Sequence, residues 1–413
     1  MATIQSYWQE FTANTERVLF LQGPVGPFFA RLSEYLEENH AMTAYKINFN
    51  GGDRYYYPEK DNKSLSYHGG IDEFKAFLKQ YVEVNEIDSI VCFGHQRIYH
   101  QIAKELCLEN KEQRSFWAFE EGYLRPHYIT FEKWGVNYNS RLMQKAEYYL
   151  SLQTCLEEPK APLPMASGFV PRALLAMRYY YEMDKQKQEY AQYQHHRETQ
   201  LSIYVGAWLL SGYRHFTYQF RENRFARLVE KGGLGRFFIA PLQVYNDSQV
   251  TANGRGKSVP SFIRHLLYSF AKYAPKETQL VFKHHPMDRG FNHYGALIKK
   301  LSKRYGIEGR VHYLFDVNLP ILMREAAGMV VLNSTSGLSG MIHGIPVKAL
   351  GEAHYDFDGL TDQQTLAKFW KDPMRPDSSA FNAYRRYLLH KTQLNGNFYR
   401  DQSGKLPIIF SCE

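Results

Sequence analysis

Long apolar runs are missing from this chain. No stretch of 18 apolar residues occurs in its 413 residues, so the sequence predicts no membrane-spanning helix. The opening segment, MATIQSYWQEFTANTERV, holds no apolar block, and no signal peptide is expected. Cysteine is sparse: Cys92, Cys107, Cys155 and Cys412, with no C-x-x-C spacing among them. That argues against a disulfide framework or a thiolate zinc site and for reduced, packed thiols in a cytoplasmic protein. There is no basic run of five residues, no Cys/His finger spacing and no RNP-type aromatic pattern, which argues against nucleic acid as a partner. No internal repeat or low-complexity segment is visible.

What is present is a globular composition, 44% hydrophobic and 22% charged. The length exceeds what one core serves and suits two domains of roughly 200 residues each. Lys and Arg outnumber Asp and Glu by 50 to 42, a net charge of +8, which favours an acidic partner such as an anionic membrane or a phosphorylated small molecule. The 32 tyrosines suit stacking on sugars and bases, although filling a core is their more ordinary use.

Along the chain, short apolar runs alternate with helical patterns. Strands are predicted at 18–22, 44–49, 89–93 and 115–119, with helices near 28–38, 71–84 and 98–106 between them. From 236 the alternation resumes, with strands at 237–243, 280–284, 311–314, 328–332 and 346–350 and helices at 260–271, 319–326 and 337–344. Such alternation predicts parallel sheets covered by helices on both faces. The expected fold is therefore α/β and GT-B-like: two Rossmann-like domains facing a cleft, with a helical insertion between them. The expected boundaries are 1–140, a helical connection over 141–232, 233–385, and a segment 386–413 that packs back on the first domain. Ligands are expected at the carboxyl ends of the strands.

Five motifs fall at those ends. Gly23-Pro24-Val25-Gly26 opens a helix and can cradle an anion on free amides, or serve only as a turn. Glu120-Glu121-Gly122 leaves a strand with two carboxylates, of which alternation lets only one face a cleft as nucleophile or base; the bland reading is a solvated turn. Gln243 and Asp247 follow another strand, in a stretch that also reads as a plain turn. Lys283-His284-His285-Pro286 offers a cation and two imidazoles to a phosphate; adjacent histidines on a strand diverge and chelate a metal poorly. Asn333-Ser334-Thr335-Ser336-Gly337 gathers three hydroxyls where a helix begins, more than one N-cap needs. Asp356-Phe357-Asp358 matches the D-x-D of metal-dependent transferases but reads as a loop far from the first domain, so no metal is expected.

Taken in order, these motifs resemble the KpsS/LipB-type capsule polysaccharide biosynthesis proteins, which belong with KpsC-type modules as retaining β-Kdo transferases. The resemblance spans most of the chain and ends in Thr392-Gln393-Leu394-Asn395-Gly396-Asn397-Phe398-Tyr399. It implies CMP-β-Kdo as donor, no further cofactor, and a (lyso)phosphatidylglycerol acceptor at the inner membrane surface, where the protein is peripheral and meets other capsule-assembly proteins. One departure stands out: KpsC-type modules tend to show Glu-Asp-Gly where this chain has Glu120-Glu121-Gly122.

The roles that follow from the resemblance are these. Glu121 is the nucleophile, with Glu120 kept open. His285 stabilises the departing phosphate, which Ser334, Thr335 and Ser336 hold, with Lys283 and Pro286 beside it. Gln243 and Asp247 orient sugar or acceptor, Arg125 meets the Kdo carboxylate, and Gly23 and Gly26 contact substrate. Two rival readings stay open: a non-catalytic export or assembly component of the capsule machinery, and a GT-B transferase for another nucleotide sugar, in which Glu352 grips the ribose.

Overall fold

The computed structural model describes residues 4–165, 168–195, 201–244, 258–400 and 404–410. In chain order the strands are β1 (Arg17–Phe20), β2 (Thr43–Asn48), β3 (Ser64–Ser66), β4 (Ser89–Phe93), β5 (Ser115–Glu121), β6 (Tyr128–Lys133) and β7 (Phe237–Pro241). There follow β8 (Gln279–Lys283), β9 (Val311–Leu314), β10 (Gly328–Val331), β11 (Val347–Ala349), β12 (Gln393–Gly396) and β13 (Ile408–Ile409). The chain divides into two units. The first takes residues 1–141, 154–201 and 386–413, and the second takes 142–153 and 202–385. The fold is α/β and GT-B-like in having two Rossmann-like units.

The first unit is built on one sheet of order β13-β12-β6-β5-β4-β1-β2-β3. Strands β1 to β5 run parallel, and the near-continuous apolar runs of β1, β4 and β5 reflect cover on both faces. One face packs on helix Phe28–His40 through Phe28, Phe29, Leu32 and Leu36, joined by Trp8 and Phe11 of helix Tyr7–Ala13. The other packs on helices Ile71–Val84 and Ile98–Glu109 through Phe74, Leu78, Val82, Ala103 and Leu106. Three additions lie beyond the strands read from sequence: the short edge strand β3 is one. β6 turns back antiparallel beside β5, and β12 and β13 extend the sheet from the far end of the chain.

The second unit has a five-stranded, all-parallel sheet of order β11-β10-β7-β8-β9. Helix Val259–Tyr273 buries Phe262, Ile263, Leu266, Leu267 and Phe270 against it, and Trp370 seals the same core. Helix Gly295–Arg304, absent from the sequence reading, covers it with Ile298 and Leu301. The stretch 141–232, expected as a helical connecting region, contains two long helices. Helix Phe169–Lys185 belongs to the first unit, and helix Leu201–Glu230, after its first residue, to the second. No described helix is long and apolar enough to cross a membrane.

Strand order reverses between β1 and β4 in the first sheet and between β7 and β10 in the second. At such points the loops leave in opposite directions and open a crevice at the carboxyl ends. The motifs at the ends of β1, β7 and β10 therefore belong to the two crevices, and those of β5 and β8 to the neighbouring strand ends.

β6, to which the sequence reading gave no element, buries a carboxylate. Glu132 is fully buried, and burial pushes its carboxyl up from 4.5 to about 7, against hydrogen bonds from Ser140 and Tyr123 that pull it down. Because the folded value lies above the unfolded one, its contribution to stability is full below about 4.5 and is lost as pH rises through about 7. Replacing Glu132 by Gln removes that titration. In urea unfolding, the stability of wild type relative to Glu132→Gln should fall by about 2–4 kcal/mol between pH 4.5 and pH 8. Parallel stability profiles for the two proteins would show that Glu132 is not titrating in the fold.

Candidate active site

β5 ends in Glu120 and Glu121, paired across to Thr130 and Ile129 of β6. Pleating sends the two side chains to opposite faces. Glu121 shares its face with Trp117 and Phe119. Its Oε1 accepts a hydrogen bond from the Tyr399 hydroxyl at 3.1 Å and an ion pair from Arg172 Nη1, also at 3.1 Å. The Arg172 guanidinium lies 4.6 Å from the centre of the Tyr399 ring, so the three groups form one cluster. The Glu121 side chain is 24% exposed, enough to meet a ligand. Glu120 Oε1 accepts the backbone N–H of Glu121 at 3.0 Å, and its other oxygen leans towards Gly94 at the end of β4.

The electrostatics of the cluster are coupled. Burial raises the Tyr399 hydroxyl well above its usual range, the negative Glu121 raises it further, and Arg172 works the other way. Burial disfavours the Arg172 charge, but Tyr399, Glu121 and Glu120 outweigh it and hold the guanidinium protonated. Gly122 makes the turn possible: a Cβ there would stand 2.0 Å from the Tyr128 carbonyl oxygen. Arg125 is exposed, and its Nε donates to the Gly122 carbonyl at 3.2 Å. Sequence reading assigned no role to Arg172, which sits in an unremarkable helical pattern. Tyr399 lay inside a recognised motif without a role.

The glycines after β1 serve packing. A Cβ on Gly23 would meet the Phe29 ring at 2.9 Å, and Gly26, with φ of 120°, would meet Leu175 at 3.2 Å. Gly26 is buried under helix Phe169–Lys185 and does not offer an open amide cradle. This corrects the substrate-contact expectation for Gly26. The same helix closes the end of β2 with a buried polar network. Tyr179 donates to Asp53 at 2.9 Å, and Asn50 donates to Tyr179 at 2.9 Å. Gln22 donates to Asp53 at 3.2 Å and to the Tyr193 hydroxyl at 2.7 Å.

In the second unit, Gln243 follows β7 in a buried position, and its Oε1 has no partner among the described residues. Asp247 lies outside the described residues. β8 ends in Lys283, whose ammonium donates to the carbonyls of His284 at 2.9 Å and Phe315 at 2.6 Å. Burial pushes this lysine down to about 8, with Glu222 and Asp316 opposing. Lys283 is thus an internal tie, contrary to the expected phosphate contact, because a buried ammonium satisfies itself on the nearest carbonyls. His284 is buried, bonds Tyr313 through Nδ1 at 2.8 Å, and is pushed by burial down to about 3. His285 is half-exposed. Its Nδ1 accepts the Met287 N–H at 3.2 Å, which leaves the neutral ring its proton on Nε2. Pro286 is exposed and starts the short turn Pro286–Asp288.

The loop after β10 carries the hydroxyl cluster. Ser334 Oγ accepts both the Ser336 N–H at 3.2 Å and the Ser336 hydroxyl at 2.9 Å, and the Ser334 carbonyl takes the Tyr355 hydroxyl. Thr335 begins helix Ser336–Ile342 without a capping bond of its own, and all three hydroxyl residues are half-exposed. Glu352 is exposed in the loop after β11. Asp356 is tied to Thr361 at 2.7 Å and Asp358 is exposed, as befits a loop. Among the described residues no three His, Cys, Asp or Glu side chains gather as a metal site. The structure therefore brings together Glu121, Arg172 and Tyr399 in the first unit. In the second, Gln243 and Ser334–Ser336 leave adjacent strands at the crevice, with His285 at the end of the next strand.

A family model described as capsule polysaccharide biosynthesis protein matches residues 88–399. The chain is 48% identical over 394 residues to the capsule polysaccharide modification protein LipB of Neisseria meningitidis serogroup B, covering 95% of this chain and 93% of that protein. It is 38% identical over 388 residues to the capsule polysaccharide export protein KpsS of Escherichia coli, covering 93% and 97% respectively. Among solved structures, the beta Kdo 2,7 transferase of Thermosulfurimonas dismutans KpsC is similar at 14% identity and a TM-score of 0.44, with 94% of each chain covered.

The internal role of Lys283 has a measurable consequence. Lys283→Met leaves two buried carbonyls without their donor and should lower stability by about 1–3 kcal/mol. Nucleotide affinity should stay within about twofold, since the ammonium is spent inside the fold. A large loss of nucleotide binding with unchanged stability, by calorimetry and urea unfolding, would reverse the assignment.

Proposed function

This chain belongs to the capsule polysaccharide biosynthesis protein family, and from that premise we propose that it is a retaining glycosyltransferase that moves Kdo from CMP-β-Kdo to a (lyso)phosphatidylglycerol acceptor. The observation that carries the reading is the state of Glu121. It is a carboxylate at a strand end, partly open to solvent, with one oxygen fixed by Arg172 and Tyr399. Its other oxygen has no partner among the described residues. A fixed, charged and half-engaged carboxylate is what nucleophilic attack on an anomeric carbon requires.

In the first step the open oxygen of Glu121 bonds to the anomeric carbon as the bond to the CMP phosphate breaks, and CMP leaves with the electron pair. In the second, an acceptor hydroxyl displaces Glu121 from the other side and loses its proton to solvent, giving net retention. Arg172 and Tyr399 stabilise the carboxylate as it departs. In the second unit, Ser334, Thr335 and Ser336 receive the phosphate, and His285, with its proton on Nε2, donates to it. Gln243 has an unused acceptor for a sugar or acceptor hydroxyl, and Asp247 shares that role in this proposal. Arg125 is available to a sugar carboxylate. CMP is a good leaving group, so the proposal needs no metal.

The name of the Escherichia coli relative, an export protein, favours a rival reading in which the chain binds polysaccharide without chemistry. Incubation with CMP-Kdo and a synthetic lysophosphatidylglycerol, read by mass spectrometry, separates the two: a glycosylated lipid supports transfer, and an unchanged acceptor with bound polysaccharide supports export. A donor panel including UDP-sugars tests Glu352 as a ribose contact.

Glu121→Gln should keep the fold and CMP binding and lose transfer almost completely, because an amide cannot form the glycosyl ester. Wild type incubated with donor alone should carry one Kdo within Phe119 to Arg125. Near wild-type turnover in Glu121→Gln would rule out this nucleophile. If Glu120→Gln is inactive while Glu121→Gln turns over, Glu120 takes the role. Separately, changing Ser334 and Ser336 together to Ala should weaken CMP binding by about 1–3 kcal/mol. Unchanged affinity in calorimetry would remove the phosphate from that loop.

A further inference from the structure

Helix Phe169–Lys185 has two working faces. One carries Arg172 to Glu121, Leu175 onto Gly26 and Tyr179 to Asp53. The other presents Val170, Leu174, Met177 and Tyr181 to solvent, 64%, 60%, 45% and 50% exposed. Their spacing of four, three and four residues is that of a single helical stripe, on the side away from Arg172. Single exposed apolar residues are ordinary, but a stripe of four over three turns of a helix is not. At its far end Tyr55, 43% exposed, continues the patch, and the Arg178 guanidinium lies 4.5 Å from its ring centre and 5.6 Å from that of Tyr181.

We propose that this face is the seat of the protein on an anionic phospholipid bilayer, with the helix lying along the membrane surface. The stripe is about 16 Å long, and its residues are the aliphatic and aromatic types that enter the headgroup and upper acyl region. Arg178, between two tyrosine rings and ion-paired to Glu182 at 2.8 Å, is an amphipathic rim: the rings suit the interfacial depth, and the remaining guanidinium donors suit lipid phosphate. The net charge of +8 complements an acidic surface. The surface stands without reference to catalysis. Only its consequence rests on the transferase reading: Glu121 and the bilayer lie on opposite sides of one helix, so a lipid acceptor has about 10 Å to rise.

The test is flotation of the full-length protein with vesicles of phosphatidylglycerol and phosphatidylcholine, against phosphatidylcholine alone. Wild type should float with the anionic vesicles, and a fraction should stay bound at about 0.5 M salt, because apolar insertion is not screened as charges are. Leu174→Glu together with Met177→Glu should cut flotation by about tenfold or more, with the circular dichroism spectrum and unfolding midpoint unchanged, since both sites are exposed. Flotation uses no sugar donor, so its result is independent of the reaction. If the double variant floats as well as wild type, this face is not the seat. If wild type does not float but self-associates in sedimentation velocity, and the double variant is monomeric, the face joins two copies and the bilayer proposal is overturned.

Discussion

A carboxylate at the end of a buried strand is tolerable only where donors meet it. Glu121 imposes that condition on the whole first unit. Its donors come from elsewhere: Arg172 from helix Phe169–Lys185, and Tyr399 from 278 positions further along the chain. For Arg172 to arrive, the helix must pass close over the loops after β1 and β2. Gly26, Gly51 and Gly52 admit it, since a Cβ on Gly51 or Gly52 would stand within 2.8 Å of helix atoms. For Tyr399 to arrive, β12 must pair with β6, which itself exists because Gly122 lets the chain double back. Two distant segments thus meet at one carboxylate on one strand end.

The second unit handles its own charges similarly, with an opposite outcome for ligands. Glu222 on helix Leu201–Glu230 accepts the N–H groups of Phe315, Asp316 and Val317, an anion site filled by the protein itself. Lys283 holds the Phe315 carbonyl of the same loop. The loop after β9 is therefore gripped through its amides by a carboxylate and through a carbonyl by an ammonium. Among the described residues, no such internal charge meets the hydroxyls of the loop after β10. Ser334 and Ser336 bond each other and remain half-exposed.

The parallel strands were legible because burial on both faces makes them unbroken apolar runs, and the motifs were legible because they break those runs at one end. What stayed hidden follows from pairing that sequence does not display. Residues 128–133 received no strand from sequence: Glu132 and Lys133 break the apolar run, and nothing local says that Tyr123 and Ser140 wait for the carboxylate. Gly26 looked like an anion turn because close helix approach and anion binding ask for the same residue. Lys283 looked like a phosphate ligand because a lysine beside two histidines suggests chemistry until its carbonyl partners are known. Arg172 had no signal at all, as one polar residue on a helix.

The return of the C-terminal segment to the first sheet also sets a schedule for biosynthesis. A ribosome delivers β1 to β5 and Glu121 early, while β12 and Tyr399 emerge only after the second unit has been made. The nascent first unit therefore waits with an open sheet edge along β6 and a carboxylate lacking one of its donors. Tyr399 can reach Glu121 only after the residues of the second unit have been translated, so a chain stalled before that point leaves this carboxylate with Arg172 alone.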